Sequence, residues 1–158
     1  MFREMIRKKQ ALSQGECTDI LKKEMRGVLA VLGDEGYPYA LPMNFWYCQE
    51  EKCIYFHCGK NGHKLDALRR CSKASFCVYD EGFRREGEWG LNIRSVIVFG
   101  RVEIILDYEQ VARICRSLSY KYTSDGEYIE EEIRKFGRGT LCLKLEMEHM
   151  TGKMVNES

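Results

Sequence analysis

The sequence predicts a mainly β, α+β fold in which an antiparallel sheet closes toward a barrel and short helices pack outside it. Five or six β-rich segments follow one another along the 158 residues, with only short helical segments between them. The regular alternation of strand and helix that builds a parallel sheet is missing. Gly100 stands inside the longest apolar segment, where it is typical of a bulge that lets a sheet curl.

Composition favours a single domain over residues 1–158. The chain is 44% hydrophobic and has only two prolines, which leaves little room for a disordered linker. A net charge of +1 excludes a global field that would attract nucleic acid or an anionic membrane. The charged N-terminus does not resemble a signal peptide, and no segment has the length of apolar sequence that a membrane span needs. We therefore expect a cytoplasmic protein.

The first half of the chain begins with a helix and continues with strands. Ser13 and Glu16 form a capping-box pattern, which predicts a helix that ends near Met25. Glycines at both ends of the turn at 33–36 indicate a hairpin. The predicted strands are residues 27–32, 39–47 and 53–58.

The second half mixes helices with strands. Leu65 and Leu68 lie on one side of a short helix at 63–70. Asp107 is a candidate cap for a helix that reaches about Tyr120, and Gly137 follows a further helix. The remaining predicted elements are strand 74–79, loop 80–92, strand 93–106, helix 127–136 and strand 140–147.

The cysteines predict buried or reduced thiols. Cys48, Cys53 and Cys58 recur every five residues, whereas structural zinc sites use pairs two to four residues apart. Several of the eight cysteines lie in apolar runs, where cysteine behaves as a small hydrophobic residue. We predict no metal site.

Residues 55–70, with the sequence YFHCGKNGHKLDALRR, carry the clearest functional signal. A strand runs into a glycine loop, and a helix then begins at His63 and Lys64. Free N–H groups and the positive end of the dipole make such a helix start suitable for a phosphate. Arg26 opens the first strand, and Pro42 within the next strand leaves edge groups free for a flat heterocycle. Arg94 is a third candidate anion donor.

Five blocks in order resemble a known family. They are residues 1–13, 26–47 (RGVLAVLGDEGYPYALPMNFWY), 54–70, 94–106 and the closing EHMTGK. These residues resemble the flavin-binding split barrels related to pyridoxamine 5'-phosphate oxidase, most closely the 5-nitroimidazole-resistance type of reductase. The resemblance implies an antiparallel six-stranded split β-barrel that binds FMN at the interface of a homodimer. It also implies reduction of small oxidised organic compounds such as nitroaromatics, with NADH or NADPH as a candidate electron donor.

The resemblance also assigns residues. His63 is the candidate catalytic residue. The implied cofactor-binding residues are Arg26, Val28, Leu29, Met43, Asn44, Phe45, His57, Cys58, His63, Lys64, Ser95 and Val96. Two departures stand out: Gly62 and His63 replace the serine and arginine of the oxidases, and the arginine-rich C-terminal segment that binds pyridoxal is absent. Pyridoxine oxidation is therefore not expected.

Two alternatives to a reductase remain open from the sequence. One is a flavin-binding module that acts as a carrier or sensor without turnover. The other is a haem-binding relative, in which His149 would be an axial ligand. Cys58, beside the proposed phosphate site, is either a reactive thiol with a lowered pKa or a buried small residue.

Overall fold

The structure is a computed structural model that describes residues 1–157, and it contains a seven-stranded antiparallel sheet with four α-helices. The strands are β1 Arg26–Leu32, β2 Pro38–Asn44, β3 Trp46–Cys48, β4 Cys53–Gly59, β5 Lys73–Tyr79, β6 Leu91–Ile105 and β7 Thr140–Glu157. The helices are α1 Gln14–Lys23, α2 His63–Arg70, α3 Tyr108–Tyr120 and α4 Gly126–Phe136. The strand order β2-β1-β5-β6-β7-β4-β3 curls around an apolar core, which confirms the predicted barrel class.

The prediction of six strands is wrong because the segment predicted at 39–47 divides at Phe45. Before this residue β2 pairs with β1, and after it β3 pairs with β4, at the opposite end of the strand order. The Phe45 N–H donates to the hydroxyl of Tyr122 at 2.9 Å, and the Phe45 carbonyl oxygen lies 3.1 Å from the same hydroxyl. One continuous segment therefore joins both edges of the sheet and closes it.

The last strand is longer than predicted. Residues 149–157 pair with the N-terminal half of the fifteen-residue strand β6, so the segment after Met147 is not a loose tail. A bulge lies between Phe99 and Gly100, as the interior glycine predicts. A Cβ at Gly100 would overlap the carbonyl oxygen of Glu146, so only glycine allows the two backbones to approach this closely.

The helices attach to the barrel through two apolar clusters. The predicted capping box of Ser13 and Glu16 is present, and Asp107 accepts a hydrogen bond from the Gln110 N–H at the start of α3. Buried side chains of α1 and α2 join the main core, whereas α3 packs over β4 and β7 around Tyr55. Within residues 1–157, no helix combines the length and the apolar character needed to cross a membrane.

We expect the substitution Tyr122→Phe to destabilise the fold at the point where the barrel closes. Loss of the hydroxyl leaves the N–H of the buried residue Phe45 unpaired, which costs about 1–3 kcal/mol of unfolding free energy. The measurement is urea unfolding of the apoprotein. Tyr120→Phe is the matched control because Tyr120 is 53% exposed, and it should leave the midpoint unchanged. Equal stability of both variants would contradict this role.

Candidate functional site

Four polar side chains meet at one corner of the barrel. Arg26 at the start of β1 lies opposite Asn44 at the end of β2. Asn44 and His57 of β4 line the same cavity. Lys64, in the first turn of α2, has its Nζ 3.7 Å from the Sδ of Met43. Residues from three strands and a helix that are far apart in sequence therefore form a single surface.

The electrostatics of this corner suit an anion. His57 is exposed, yet the protein atoms around the concave surface displace part of its water and lower its pKa, and the positive charge of Lys64 acts in the same direction. Burial raises the pKa of the nearby phenol of Tyr122, and the charge of Arg26 is close enough to offset part of that rise. Two permanent cations thus flank a mainly neutral imidazole, an arrangement that can hold a phosphate and exchange a proton.

The start of α2 adds backbone donors. Gly62 precedes the helix with a φ of 133°, a conformation that favours glycine, and no side chain caps the helix. The N–H groups of Leu65 and Asp66 bond to the Gly62 carbonyl oxygen, and those of His63 and Lys64 are left to water or to a ligand. This is the helix start that the sequence predicts, and it lies next to Lys64.

His63 is engaged in packing. Its Nε2 lies 3.2 Å from the Asp34 N–H nitrogen and 3.6 Å from the Asp34 carboxylate. The ring stacks on Tyr39 with 4.2 Å between centroids, and Arg70 bonds to the Asp34 carboxylate. His63 therefore fastens α2 to the turn between β1 and β2, while His57 is the histidine that faces the cavity.

Three of the predicted cofactor-binding residues have fully buried side chains. Leu29, Phe45 and Val96 are each 0% exposed within the main core. Only their backbone groups could contact a ligand, and the Phe45 N–H is already bonded to Tyr122. Alternation along a strand sends neighbouring side chains to opposite faces, so adjacent predicted residues cannot all reach one ligand.

Val28 and Ser95 lie on the outward face of the sheet, and Val28 is on the same face of β1 as Arg26. β5 separates their strands, and both side chains are partly exposed. Cys58 is half-buried against the core. Burial raises the pKa of its thiol and outweighs the opposing effect of Lys64, which favours the interpretation of Cys58 as a buried small residue.

The outward face of β1, β5 and β6 is apolar and uncovered over several residues. Leu32 is 50% exposed, Tyr79 60%, Ile97 40% and Phe99 41%. The register places Cys77 opposite both Val28 and Ile97, so these side chains form a continuous patch, which we call the outer face. Its far side carries His149, whose ring stacks on Phe2 at 4.7 Å between centroids. A patch of this kind is typical of an interaction surface.

Other candidates from the sequence have structural roles. Arg94 bonds to the buried carboxylate of Asp80 at 2.7 Å and so holds the loop before β6. Trp46 stacks on Tyr55 with 5.3 Å between ring centroids. Trp89 is 76% exposed in the loop. None of these contacts directs the side chain toward the corner.

The cavity beside the corner was missed from the sequence. It measures about 290 Å³ and lies between α3, α4 and the sheet. Asn44 and His57 line it from the strands, and Cys115, Tyr128 and Glu132 line it from the helices. The cap at Asp107 predicts where α3 begins, and in the structure Asp125 caps α4, but no local pattern indicates which strand a helix side chain contacts.

The sequence model of the family described as pyridoxamine 5'-phosphate oxidase matches residues 13–154. The chain belongs to the pyridoxamine 5'-phosphate oxidase family. No curated protein matches the sequence of this family member.

Solved structures share the fold of this pyridoxamine 5'-phosphate oxidase family member at low sequence identity. A candidate 5-nitroimidazole antibiotic resistance protein from Bacteroides thetaiotaomicron is 21% identical with a TM-score of 0.77, over 92% of this chain and 87% of that one. An FAD-binding protein from Mesorhizobium loti is 21% identical with a TM-score of 0.66, over 92% and 97%. An FAD and heme binding protein from Mycobacterium smegmatis is 22% identical with a TM-score of 0.73, over 92% and 73%.

Proposed function

We propose that this protein is an FMN-dependent reductase of small oxidised organic compounds, with nitroaromatics such as 5-nitroimidazoles as the expected substrate class. The observation that carries the proposal is the corner where Arg26, Asn44, His57 and Lys64 meet beside the uncapped start of α2. Membership of the family and the flavin-binding relatives of the same fold agree with it.

The corner fits the phosphate end of a flavin. Lys64 and Arg26 would neutralise its charge, and the first-turn N–H groups of α2 would donate to its oxygens. β2 is an edge strand, so the backbone groups of Met43 and Asn44 that point away from β1 are free to face a planar ring. Adjacent cations and edge groups suit a ligand with one anionic end and one flat end.

Bound FMN supplies two-electron chemistry, and the protein provides its orientation and the exclusion of water. His57 is exposed, lines the cavity and has a lowered pKa, so its mainly neutral imidazole can accept a proton or donate a hydrogen bond there. His63 is less suited to proton transfer because its Nε2 is bonded to Asp34. We therefore assign the acid–base role to His57 and the fastening of α2 to His63.

A homodimer is the proposed assembly, with the outer face as its interface. Ile97 and Phe99 project from the middle of this face, and burial of such apolar side chains against a second copy is favourable. Val28 and Ser95, which lie on the outward face of the sheet, would be at this interface. Ile97→Glu should convert a dimer to a monomer in sedimentation analysis, while Leu106→Glu, at a 69% exposed position outside the face, should not. A monomeric parent protein would contradict the interface.

The reductase proposal predicts turnover that depends on His57. Anaerobic NADH or NADPH should bleach the absorbance of the FMN-loaded protein, and a 5-nitroimidazole should restore it. His57→Gln should slow the reoxidation by roughly 10²-fold or more, the usual contribution of a positioned acid or base. His63→Gln is the matched control and should mainly lower stability.

Stopped-flow absorbance measures both half-reactions. Failure of every electron donor with a fully FMN-loaded protein would favour a carrier or sensor. A Soret band in the purified protein would instead support a haem-binding protein. Greater loss of rate in His63→Gln than in His57→Gln would transfer the acid–base role to His63.

A further inference from the structure

Two thiols lie in contact beneath the cavity. Cys115 of α3 and Cys142 of β7 have their Sγ atoms 3.8 Å apart, although 26 residues and the whole of α4 separate them in sequence. A disulfide needs an S–S distance of about 2.0 Å, so a small side-chain movement would join them. The two elements already pack together.

Access differs between the two thiols. Cys115 is partly exposed and lines the 290 Å³ cavity, whereas Cys142 is 0% exposed. A small solute can therefore reach Cys115 first, and Cys142 lies directly behind it. Cys142 can also donate to the Val111 carbonyl oxygen at 3.9 Å, so its thiol hydrogen has two acceptors.

Five other cysteines have less reactive thiols. Burial raises the pKa of the thiols of Cys17, Cys53, Cys58 and Cys77, and raises that of Cys48 as well. Cys115 differs because the hydrogen bond from Cys142 stabilises its thiolate and lowers its pKa. The geometry thus pairs an accessible nucleophile with a resolving thiol.

We propose that Cys115 and Cys142 form a dithiol site that small hydroperoxides oxidise to a disulfide. The Cys115 thiolate attacks a peroxide oxygen and the O–O bond breaks, so that Cys115 becomes a sulfenic acid and an alcohol or water leaves. The Cys142 sulfur then displaces the sulfenic hydroxyl as water, and the S–S bond forms. The two thiols lose two electrons in total, and the peroxide gains them. The resulting bond fastens α3 to β7 beside His57.

The test treats the intact protein with hydrogen peroxide and maps linked peptides by mass spectrometry without reduction. We expect a Cys115–Cys142 peptide that dithiothreitol removes and that is lost completely in Cys115→Ser. In Cys142→Ser, whose hydroxyl can still donate to the Cys115 sulfur, Cys115 should stop at the sulfenic acid, which dimedone traps. Cys71→Ser is the matched control because Cys71 is a partly exposed thiol at the end of α2, and this variant should form the disulfide normally.

Three outcomes would overturn the proposal. One is a first disulfide between Cys48 and Cys53, which face each other across β3 and β4. Another is oxidation of Cys71 ahead of Cys115. The third is the absence of dimedone labelling at Cys115 in a folded Cys142→Ser protein, with folding checked by circular dichroism.

Discussion

The fold depends on the hydrogen bonds between Tyr122 and the backbone at Phe45. Pairing with β1 ends before Phe45, and pairing with β4 begins after it. Neither strand therefore pairs with the N–H or the carbonyl oxygen of Phe45. The Tyr122 hydroxyl oxygen accepts the hydrogen bond from the Phe45 N–H, and its single hydrogen is shared between the carbonyl oxygen of Phe45 and the nearer one of Met25, just beyond α1. A buried backbone donor must find a partner, and here a side chain from beyond α3 provides it.

Lys121 strengthens the junction that Tyr122 forms with Phe45 and the end of α1. Its Nζ donates to the Glu24 carbonyl oxygen at 2.6 Å and lies 3.6 Å from the centroid of the Phe45 ring. Burial lowers the pKa of Lys121 to about 8, and the charge of Glu24 partly offsets this. The carbonyl groups and the aromatic ring favour the ammonium form, which compensates for the water it loses. Two consecutive residues therefore connect α1, α3 and the closing strand.

This junction also brings the functional corner together. Because Asn44 immediately precedes Phe45, closure of the barrel sets the end of β2 beside β4 and His57. The pairing of Arg26 with Asn44 places Arg26 at the same corner. Lys64 is placed there by α2, which the Asp34–His63 hydrogen bond fixes to the first hairpin. The corner is thus a consequence of how the sheet closes, and the turn contact of His63 contributes to function indirectly.

Much of the fold was predictable because it depends on local patterns. The capping box at Ser13, the bulge at Gly100 and the helix start at His63 are each encoded in adjacent residues. The division at Phe45 was not predictable, since it requires Tyr122, a residue 77 positions away. The strand after Met147 was missed for a similar reason: its partner is the other end of β6.

The candidate site, too, was predictable only where it depends on adjacent residues. His57 and Lys64 lie in one motif, and the structure brings them close enough for the charge of Lys64 to lower the pKa of His57. Strand alternation separates Leu29 and Val96 from Val28 and Ser95, so a list of adjacent motif residues mixes core and surface. The cavity residues of α3 and α4 depend on tertiary packing and have no local signal.

The affinity of Lys64→Met for FMN and for riboflavin tests the central claim most directly. A charge-assisted hydrogen bond to phosphate contributes roughly 1.5–3 kcal/mol, so FMN should bind about 10–100-fold more weakly, while riboflavin, which lacks the phosphate, should bind as before. Lys60→Met, in the exposed loop before α2, should change neither affinity. Equal losses for both flavins, or an unchanged affinity for FMN, would contradict a phosphate site at this corner.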